Sequence, residues 1–208
     1  MSNSVQEYAT ERGIKNLMHF TRASNLNSIL QRGLVPRDTL VNEGFSDFND
    51  QLRLDGTHAA CLSIGFPNYK MFFATRQNNP TVDWVVLVIH PAALWTLPCV
   101  YCATNAASAS VTALPISQRS GLTALQAMYA DWGDKTRTVL EIPNHYPTNP
   151  QAEVLMLKGV PKNYILGVLV LNTAKQQELQ LRYPGLDVRA YAGYFRYRQD
   201  YAYWKQGV

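Results

Sequence analysis

The chain has 208 residues, 47% of them hydrophobic, which suits one domain with a sizeable core. Its formal net charge of +4 and pI near 9.0 form a mild positive excess, compatible with an anionic partner without requiring one. No apolar run approaches the roughly 20 residues that cross a bilayer, and the polar N-terminus lacks the pattern of a signal peptide. We therefore expect a soluble, cytoplasmic protein that does not associate with membranes.

The cysteine and histidine patterns argue against a metal site. Three cysteines are an odd number, which fits a reducing compartment. Cys99 and Cys102 have the spacing of a redox or zinc motif, but the sequence holds no second cysteine pair. The four histidines show no His-x3-His spacing. We expect ordinary buried thiols and no bound metal.

The first predicted elements surround His19. Residues 1 to 15 are predicted to form a short docking helix or a loose lead-in, followed by a short strand at 17–20. A helix is predicted over about 25–32, with Ser24 as its N-cap and Gly33 as its C-cap. His19 would then lie at a strand end that faces a helix N-terminus, a setting that favours an anionic or nucleotide ligand. The alternative is a core histidine that is satisfied by backbone groups.

A long polar segment follows this helix. Residues 35–54 have the composition of a loop, and long loops in compact domains are commonly lids or binding elements. Arg53 stands at its exit, where an arginine can clamp a phosphate or simply lie on the surface. A strand at 60–64, a turn at 66–69 and a short apolar helix or strand at 70–76 come next. Tyr69 offers its ring either to a planar ligand or to the core.

The remaining elements predict an α+β fold. Residues 83–90 form the clearest buried strand, because they are rich in β-branched residues and end at a proline. The other predictions are a strand at 97–104, a surface loop at 104–110, a helix at 121–132 that stops at Gly133, a strand at 165–171 paired with 153–157, a helix at 174–183 and a strand near Val188. Strands and helices intermix without regular βαβ alternation, which favours a central mixed or antiparallel sheet flanked by helices.

Glu153 is the candidate catalytic acid. It precedes a short apolar run bounded by Pro150 and Pro161, which is typical of a strand that enters the core with its acid at the rim. Side chains alternate along a strand, so Gln151 and Glu153 would share one face and reach one substrate. The alternative is a solvated strand start.

The C-terminal segment 189–201 interleaves cations with aromatic rings. Arg196 and Arg198 alternate there with tyrosines, a mixture that suits single-stranded nucleic acid because rings stack on bases and arginine meets phosphate. The same alternation is typical of an edge strand with arginine on its solvent face.

Four segments together resemble a known family. They are His19-Phe20-Thr21-Arg22, the helix motif Asn25-Leu26-x-Ser28-Ile29-Leu30-x-x-Gly33-Leu34, the loop ending at Arg53, and Asn149-Pro150-Gln151-Ala152-Glu153. In order and spacing these segments resemble the DarT family of DNA ADP-ribosyltransferase toxins, over roughly residues 17 to 170. The resemblance implies a compact ADP-ribosyltransferase fold, spanning residues 1–208 as one domain. It also implies binding of NAD, transfer of ADP-ribose to a base in single-stranded DNA, and a macrodomain antitoxin that removes the mark.

The resemblance assigns roles to individual positions. His19, Phe20 and Thr21 match the NAD-contacting strand end, and Ser28 matches a helix position near the cofactor. The NAD-binding loop corresponds to residues 35 to 53. Arg53 matches the catalytic arginine and Glu153 the catalytic glutamate. Tyr69 is a candidate for a ring on the nicotinamide side. Residues 62–73 differ from the aromatic segment of the thymine-modifying branch and look more like the guanine-modifying branch, so guanine is the favoured base.

The chemistry of ADP-ribose transfer requires these residue types independently of the family resemblance. Cleavage of the nicotinamide–ribose bond passes through an oxocarbenium-like state, and a carboxylate beside the sugar stabilises the developing positive charge. Glu153 takes this role by holding a ribose hydroxyl, while Arg53 orients the phosphates and the acceptor. Which of the two assists removal of the acceptor proton stays open. Gln151 is placed to bond the incoming base.

Two other functions are compatible with the sequence. One is a non-catalytic nucleic-acid-binding module that uses the Arg/Tyr segment at the C-terminus. The other keeps the ADP-ribosyltransferase fold but modifies protein or RNA.

Overall fold

A seven-stranded sheet forms the centre of the computed structural model, which describes residues 2–45, 48 and 58–205. In spatial order the strands are β4-β5-β2-β1-β3-β6-β7. β6 and β7 are parallel, and the other neighbouring strands are antiparallel. The strand bounds are β1 Leu17–Arg22, β2 Ala60–Ile64, β3 Trp84–Ile89, β4 Cys99–Cys102, β5 Glu153–Met156, β6 Ile165–Val170 and β7 Val188–Ala190.

Short helices connect and flank these strands. The α-helices of the described residues are α1 Val5–Glu11, α2 Leu26–Arg32, α3 Arg37–Asn42, α4 Tyr69–Asn78, α5 Ala93–Thr96, α6 Ala109–Thr112, α7 Gly121–Ala127, α8 Arg137–Leu140 and α9 Thr173–Arg182. Single 3-10 segments occupy Ala23–Asn25, Ile116–Arg119, Lys162–Tyr164, Ala192–Phe195 and Gln199–Trp204. Within residues 2–45, 48 and 58–205, no helix is long and apolar enough to span a membrane.

The strand β3 lies at the centre of the core because both of its faces are covered. Val85, Leu87 and Ile89 belong to the large cluster that packs against α1, α2, α7 and α9. Trp84 and Val86 point the other way and pack with Phe72 of α4 and with Phe195. Its six-residue run of large apolar residues therefore forms a strand buried on both sides. The mixed sheet with flanking helices confirms the predicted α+β fold.

The predicted partner of the strand at 165–171 was wrong. β5 pairs with β2 and β4, whereas β6 pairs with β3 and β7. The connection does not fold back as a hairpin, because Val160 forms an antiparallel bridge with Leu34 and carries the chain across the sheet. Gly159 permits this crossing: its φ is +75°, and a Cβ there would lie 2.1 Å from the Leu34 carbonyl oxygen.

Parts of the loop and helix predictions also need correction. The segment 35–54 is not continuous loop, since α3 begins directly after Pro36, and a bidentate ion pair from Arg32 to Glu43 ties its end to α2. Asn25 rather than Ser24 is the N-cap of α2, because a 3-10 turn precedes that helix. The helix predicted over 121–132 ends at Ala127. Residues 46, 47 and 49–57 lie outside the described residues.

The C-terminal segment is not an edge strand. β7 stops at Ala190, and two 3-10 segments follow it at Ala192–Phe195 and Gln199–Trp204. Phe195 and Trp204 are buried, so the segment folds back onto the protein instead of extending along the sheet.

Candidate active site

A cavity of about 250 Å³ opens beside β1 and β2. The two strands pair at Leu17 with Ile64 and at Met18 with Ser63, whereas β1 pairs with β3 along its whole length. The wall is built from β1, α2, the segment from Gly33 through α3, β2 and the start of α4, closed by the loop after β4 and by Glu153. The cavity therefore lies where β1 and β2 part, and polar side chains from several elements converge on it.

Glu153 is the acidic group in the described wall of this cavity. It is the first residue of β5 and is buried, with Cys102 of β4 as its ladder partner. Its Oε2 accepts a hydrogen bond of 2.7 Å from the backbone N–H of Ala106, which belongs to the loop after β4. A charge-assisted bond from the main chain fixes the carboxyl group in one orientation at the cavity edge.

His19 lies on the cavity wall, in the middle of β1 rather than at its end. Its Nδ1 lies 2.8 Å from the Cys61 carbonyl oxygen, so in the neutral ring Nδ1 carries the proton and Nε2 is an acceptor. Burial lowers the pKa of His19 below its ordinary 6.5, although the bond to the Cys61 carbonyl opposes this shift. The backbone bond does not exclude a ligand role, because it leaves the second ring nitrogen as an acceptor.

The neighbouring residues complete the wall around His19. Thr21 is buried, and its Oγ1 accepts a hydrogen bond of 3.1 Å from Asn25. Ser28 of α2 contributes a hydroxyl. The Phe20 ring stacks on Phe72 with centroids 4.5 Å apart and planes 19° apart, so it offers a rigid apolar surface. The structure thus brings His19, Phe20, Thr21, Ser28 and Glu153 together around one cavity.

Gln151 does not share an extended face with Glu153. β5 begins at Glu153, and Gln151 lies in the preceding turn, where its backbone N–H donates to Asn149 Oδ1 at 2.9 Å. Alternation along a strand therefore does not apply to this pair. The Gln151 side chain is not among the described residues that line the cavity.

Tyr69 takes the second of its two predicted roles. It is buried at the start of α4, with its ring edge-on to Tyr197 and Tyr201 at 6.5 and 5.9 Å. Burial raises its pKa well above the ordinary value. The structure contradicts the expectation of a ligand-facing ring, since Tyr69 closes the core and is not one of the described cavity residues.

The two candidate DNA-binding arginines differ sharply. Arg196 is exposed. Arg198 is only 3% exposed and pairs with Asp200 through Nε and Nη2, at 2.7 and 2.5 Å. It also donates to the carbonyl oxygens of Pro147 and Thr148, both at 2.7 Å. The expectation that Arg198 contacts DNA is therefore contradicted, because its donors are used inside the protein.

Arg53 lies outside the described residues. Arg37 of α3 lines the cavity, with its guanidinium carbon 4.3 Å from the Phe48 ring centroid. Sequence reasoning missed Arg37, and its place in a polar segment next to Pro36 gave no distinguishing signal. It also missed the Ala106 N–H, because a backbone donor in an Ala/Ser/Asn loop carries no mark in the sequence.

The donor set fits a dinucleotide better than a metal. Among the described residues, no group of three or more His, Cys, Asp or Glu could hold an ion. The cavity instead combines a guanidinium, hydroxyl groups, an imidazole acceptor and aromatic surface. These groups match phosphates, ribose hydroxyls and planar rings.

A sequence profile of the family described as "ssDNA thymidine ADP-ribosyltransferase, DarT" matches residues 18–192. No curated protein sequence matches the chain.

Solved structures share the fold at low sequence identity. Thermosipho africanus DarTG in complex with ADP-ribose matches 87% of the chain at 14% identity with a TM-score of 0.61, and the chain spans about half, 51%, of that protein. Thermus sp. 2.9 DarT in complex with NAD+ matches 88% of this chain and 98% of its own, at 15% identity and a TM-score of 0.55. The same Thermus protein in complex with ADP-ribosylated ssDNA matches 88% and 97%, also at 15% identity and 0.55.

Proposed function

Because the chain belongs to the DarT family, we propose that it is an enzyme that transfers ADP-ribose from NAD to a base of single-stranded DNA. The observation that carries this proposal is the convergence of His19 and Glu153 on one cavity, with the Glu153 carboxyl group held by the Ala106 N–H. The Thermus relative has been solved in complex with NAD+ and in complex with ADP-ribosylated ssDNA, which supports both substrates.

Different side chains of the cavity contact different parts of NAD. His19 accepts a hydrogen bond through Nε2 from a ribose hydroxyl on the adenosine side. Thr21 and Ser28 add hydroxyl contacts, and the stacked Phe20 ring supplies apolar surface. Arg37 is placed to meet the pyrophosphate, and we keep Arg53 as the arginine that orients the phosphates and the acceptor base.

Glu153 acts at the reacting sugar. The bond from the ribose C1′ to the nicotinamide nitrogen breaks, and nicotinamide leaves as a neutral molecule with the bonding electron pair. The Glu153 carboxylate holds a ribose hydroxyl and stabilises the oxocarbenium-like charge that develops on the sugar. A nitrogen of the base then bonds to C1′ and loses a proton. A single-stranded acceptor avoids the few kcal/mol that extrusion from a duplex costs.

Guanine is the base that we propose. Residues 62–73 distinguish this chain from the thymine-modifying pattern, and in the structure this segment supplies Ser63, Asn68 and Met71 to the cavity wall. We further propose a cytoplasmic toxin whose partner is a macrodomain antitoxin, as the resemblance to the DarT family implies, and the Thermosipho relative is named DarTG.

Mass spectrometry of oligonucleotides of varied sequence after incubation with NAD tests reaction and base together. We expect an ADP-ribose adduct on guanine and release of nicotinamide. Glu153→Gln should lower the transfer rate about 100-fold or more, as loss of one electrostatic stabiliser commonly does. The matched control is Glu178→Gln, because Glu178 lies exposed on α9 and should retain full activity.

Labelled DNA, RNA and protein in one incubation separate the alternative acceptors. If Glu153→Gln modifies DNA at the wild-type rate, the assignment of the acid fails. DNA binding without any nicotinamide release would instead favour a non-catalytic binding module.

A further inference from the structure

A row of five aromatic rings lies on the protein surface outside the cavity. In order it contains His145, Tyr146, Phe66, Tyr194 and Tyr191, and we call it the aromatic row. Successive ring centroids are 4.5, 5.9, 5.2 and 5.1 Å apart. The first four rings are half-buried and Tyr191 is 57% exposed, so the row presents aromatic surface to solvent.

Rings of this row pack closely against the backbone at two glycines, Gly65 and Gly193. A Cβ at Gly65 would lie 2.9 Å from Tyr146 Cδ1 and 3.0 Å from His145 Cδ2, and the φ of Gly65 is +71°. A Cβ at Gly193 would lie 2.8 Å from Tyr191 Cε1. The contacts of 2.9 Å with Tyr146 and 2.8 Å with Tyr191 are closer than real Cβ atoms adopt, so the two glycines permit ring positions that other residues would not.

The middle of the row, at Tyr146 and Phe66, lies near the edge of the sheet that holds Glu153. Leu62 of β2 is paired antiparallel with Val154 of β5, so the C-terminal end of β2 and Glu153 lie at the same edge of the sheet. Phe66 follows that end of β2, and Tyr146 belongs to the loop that leads into Glu153. From this edge the row runs outward to the C-terminal segment.

Cations flank the row. Lys15 is exposed and close enough to His145 to contribute, after burial, to lowering the pKa of that imidazole. The His145 ring meets the Tyr146 ring edge-on, with the two planes 72° apart. Arg196 is exposed two residues after Tyr194. Half-exposed rings between cations are the combination that single-stranded nucleic acids use, since bases stack on rings and phosphates meet cations.

We propose that the aromatic row binds the bases of the DNA strand that flank the modified one. This inference rests on the proposed function and deepens it, because it gives the strand a path from the Glu153 edge across Phe66 and Tyr194 to Tyr191. It also reassigns the DNA-binding role of the C-terminal segment from Arg198 to the tyrosines and Arg196. The exposed end of the row at Tyr191 takes the bases farthest from the reaction.

Equilibrium binding without NAD tests the row separately from catalysis. Fluorescence anisotropy of a labelled single-stranded oligonucleotide, at one fixed salt concentration, should show about 5-fold weaker binding or more for Tyr191→Ala and for Tyr194→Ala. Tyr191→Phe keeps the ring and should bind like the wild type. The matched control is Tyr203→Ala, because Tyr203 is 46% exposed and is not one of the five rings.

The outcomes separate this inference from the proposed function. If both alanine variants bind DNA like the wild type, the proposal that the aromatic row binds DNA is refuted. Equal affinity of the protein for single-stranded and duplex DNA would refute it too, since the faces of paired bases are not accessible. A wild-type protein that binds DNA through the row but forms no adduct with NAD would overturn the proposed function alone. If the wild type is active and the variants of the aromatic row bind and modify DNA normally, only the DNA-binding role of the row is refuted.

Discussion

Replacement of Arg198 should destabilise the protein strongly, because this buried arginine joins the C-terminal segment to the loop before Glu153. Its guanidinium makes four hydrogen bonds, two to Asp200 and one each to the carbonyls of Pro147 and Thr148. Arg198→Met would leave the 1% exposed Asp200 carboxylate without its countercharge, with the Trp204 indole N–H as a remaining donor at 2.7 Å. The two carbonyl oxygens would also lose these donors.

The magnitude follows from the burial of both charges. Breaking a buried ion pair by removing one partner costs about 3 to 5 kcal/mol, mostly through the charge left behind. For a chain of this size each kcal/mol shifts Tm by about 2 to 4 °C, so we expect a decrease of roughly 6 to 20 °C. Arg198→Met combined with Asp200→Asn should recover part of this loss, because the double variant buries no net charge and the Asn oxygen still accepts from Trp204.

Thermal and urea denaturation measure these differences directly. Arg196→Met is the matched control: Arg196 is exposed, lies two residues away, and should leave Tm within about 2 °C of the wild type. A loss below about 1 kcal/mol for Arg198→Met, or a double variant no more stable than the single one, would refute the argument that a stranded buried charge dominates.

Three further predictions concern the cavity and the aromatic row. NAD affinity should be constant near neutral pH and should fall only below pH 6.5, because the lowered pKa of His19 keeps its Nε2 an acceptor until then. The dependence of nicotinamide release on NAD concentration, measured at several pH values, tests this expectation. His19→Gln should remove the pH dependence. Arg37→Gln should raise the KM for NAD about tenfold or more, as loss of a charged hydrogen bond does, and an unchanged KM would exclude Arg37 from the pyrophosphate site. Gly65→Ala should lower the free energy of unfolding by about 1 to 3 kcal/mol more than Gly133→Ala does. Both glycines have a positive φ, but only a methyl group at residue 65 would meet Tyr146. Equal denaturation midpoints of the two variants would contradict this packing.

The elements that the sequence predicts well are those set by local pattern. β3 follows from an unbroken run of large apolar residues that needs burial on both faces. Glu153 follows from its place before an apolar run bounded by prolines, and the structure puts it at the first position of β5. In both cases the neighbours in sequence already determine which side chains must leave water.

The failures arise where distant residues decide. Arg196 and Arg198 stand two positions apart in one Arg/Tyr pattern, yet one is exposed and the other is buried. Their difference depends on the carbonyls of residues 147 and 148, about fifty positions earlier in the chain. The pairing of β6 is a second case, because its partner β3 is distant in sequence and no local pattern reveals it.

The candidate active site depends on main-chain atoms more than its residue types suggest. The Glu153 carboxyl group is held by a backbone N–H, and the loop before it is held through backbone oxygens. Arg137 donates to the carbonyls of Pro143, Asn144 and Tyr146, while Arg198 donates to those of Pro147 and Thr148. Since these bonds use main-chain oxygens, the half-buried side chains of His145 and Tyr146 can change without removing them. Substitutions there should therefore alter which DNA is accepted before they alter how the glycosidic bond is broken.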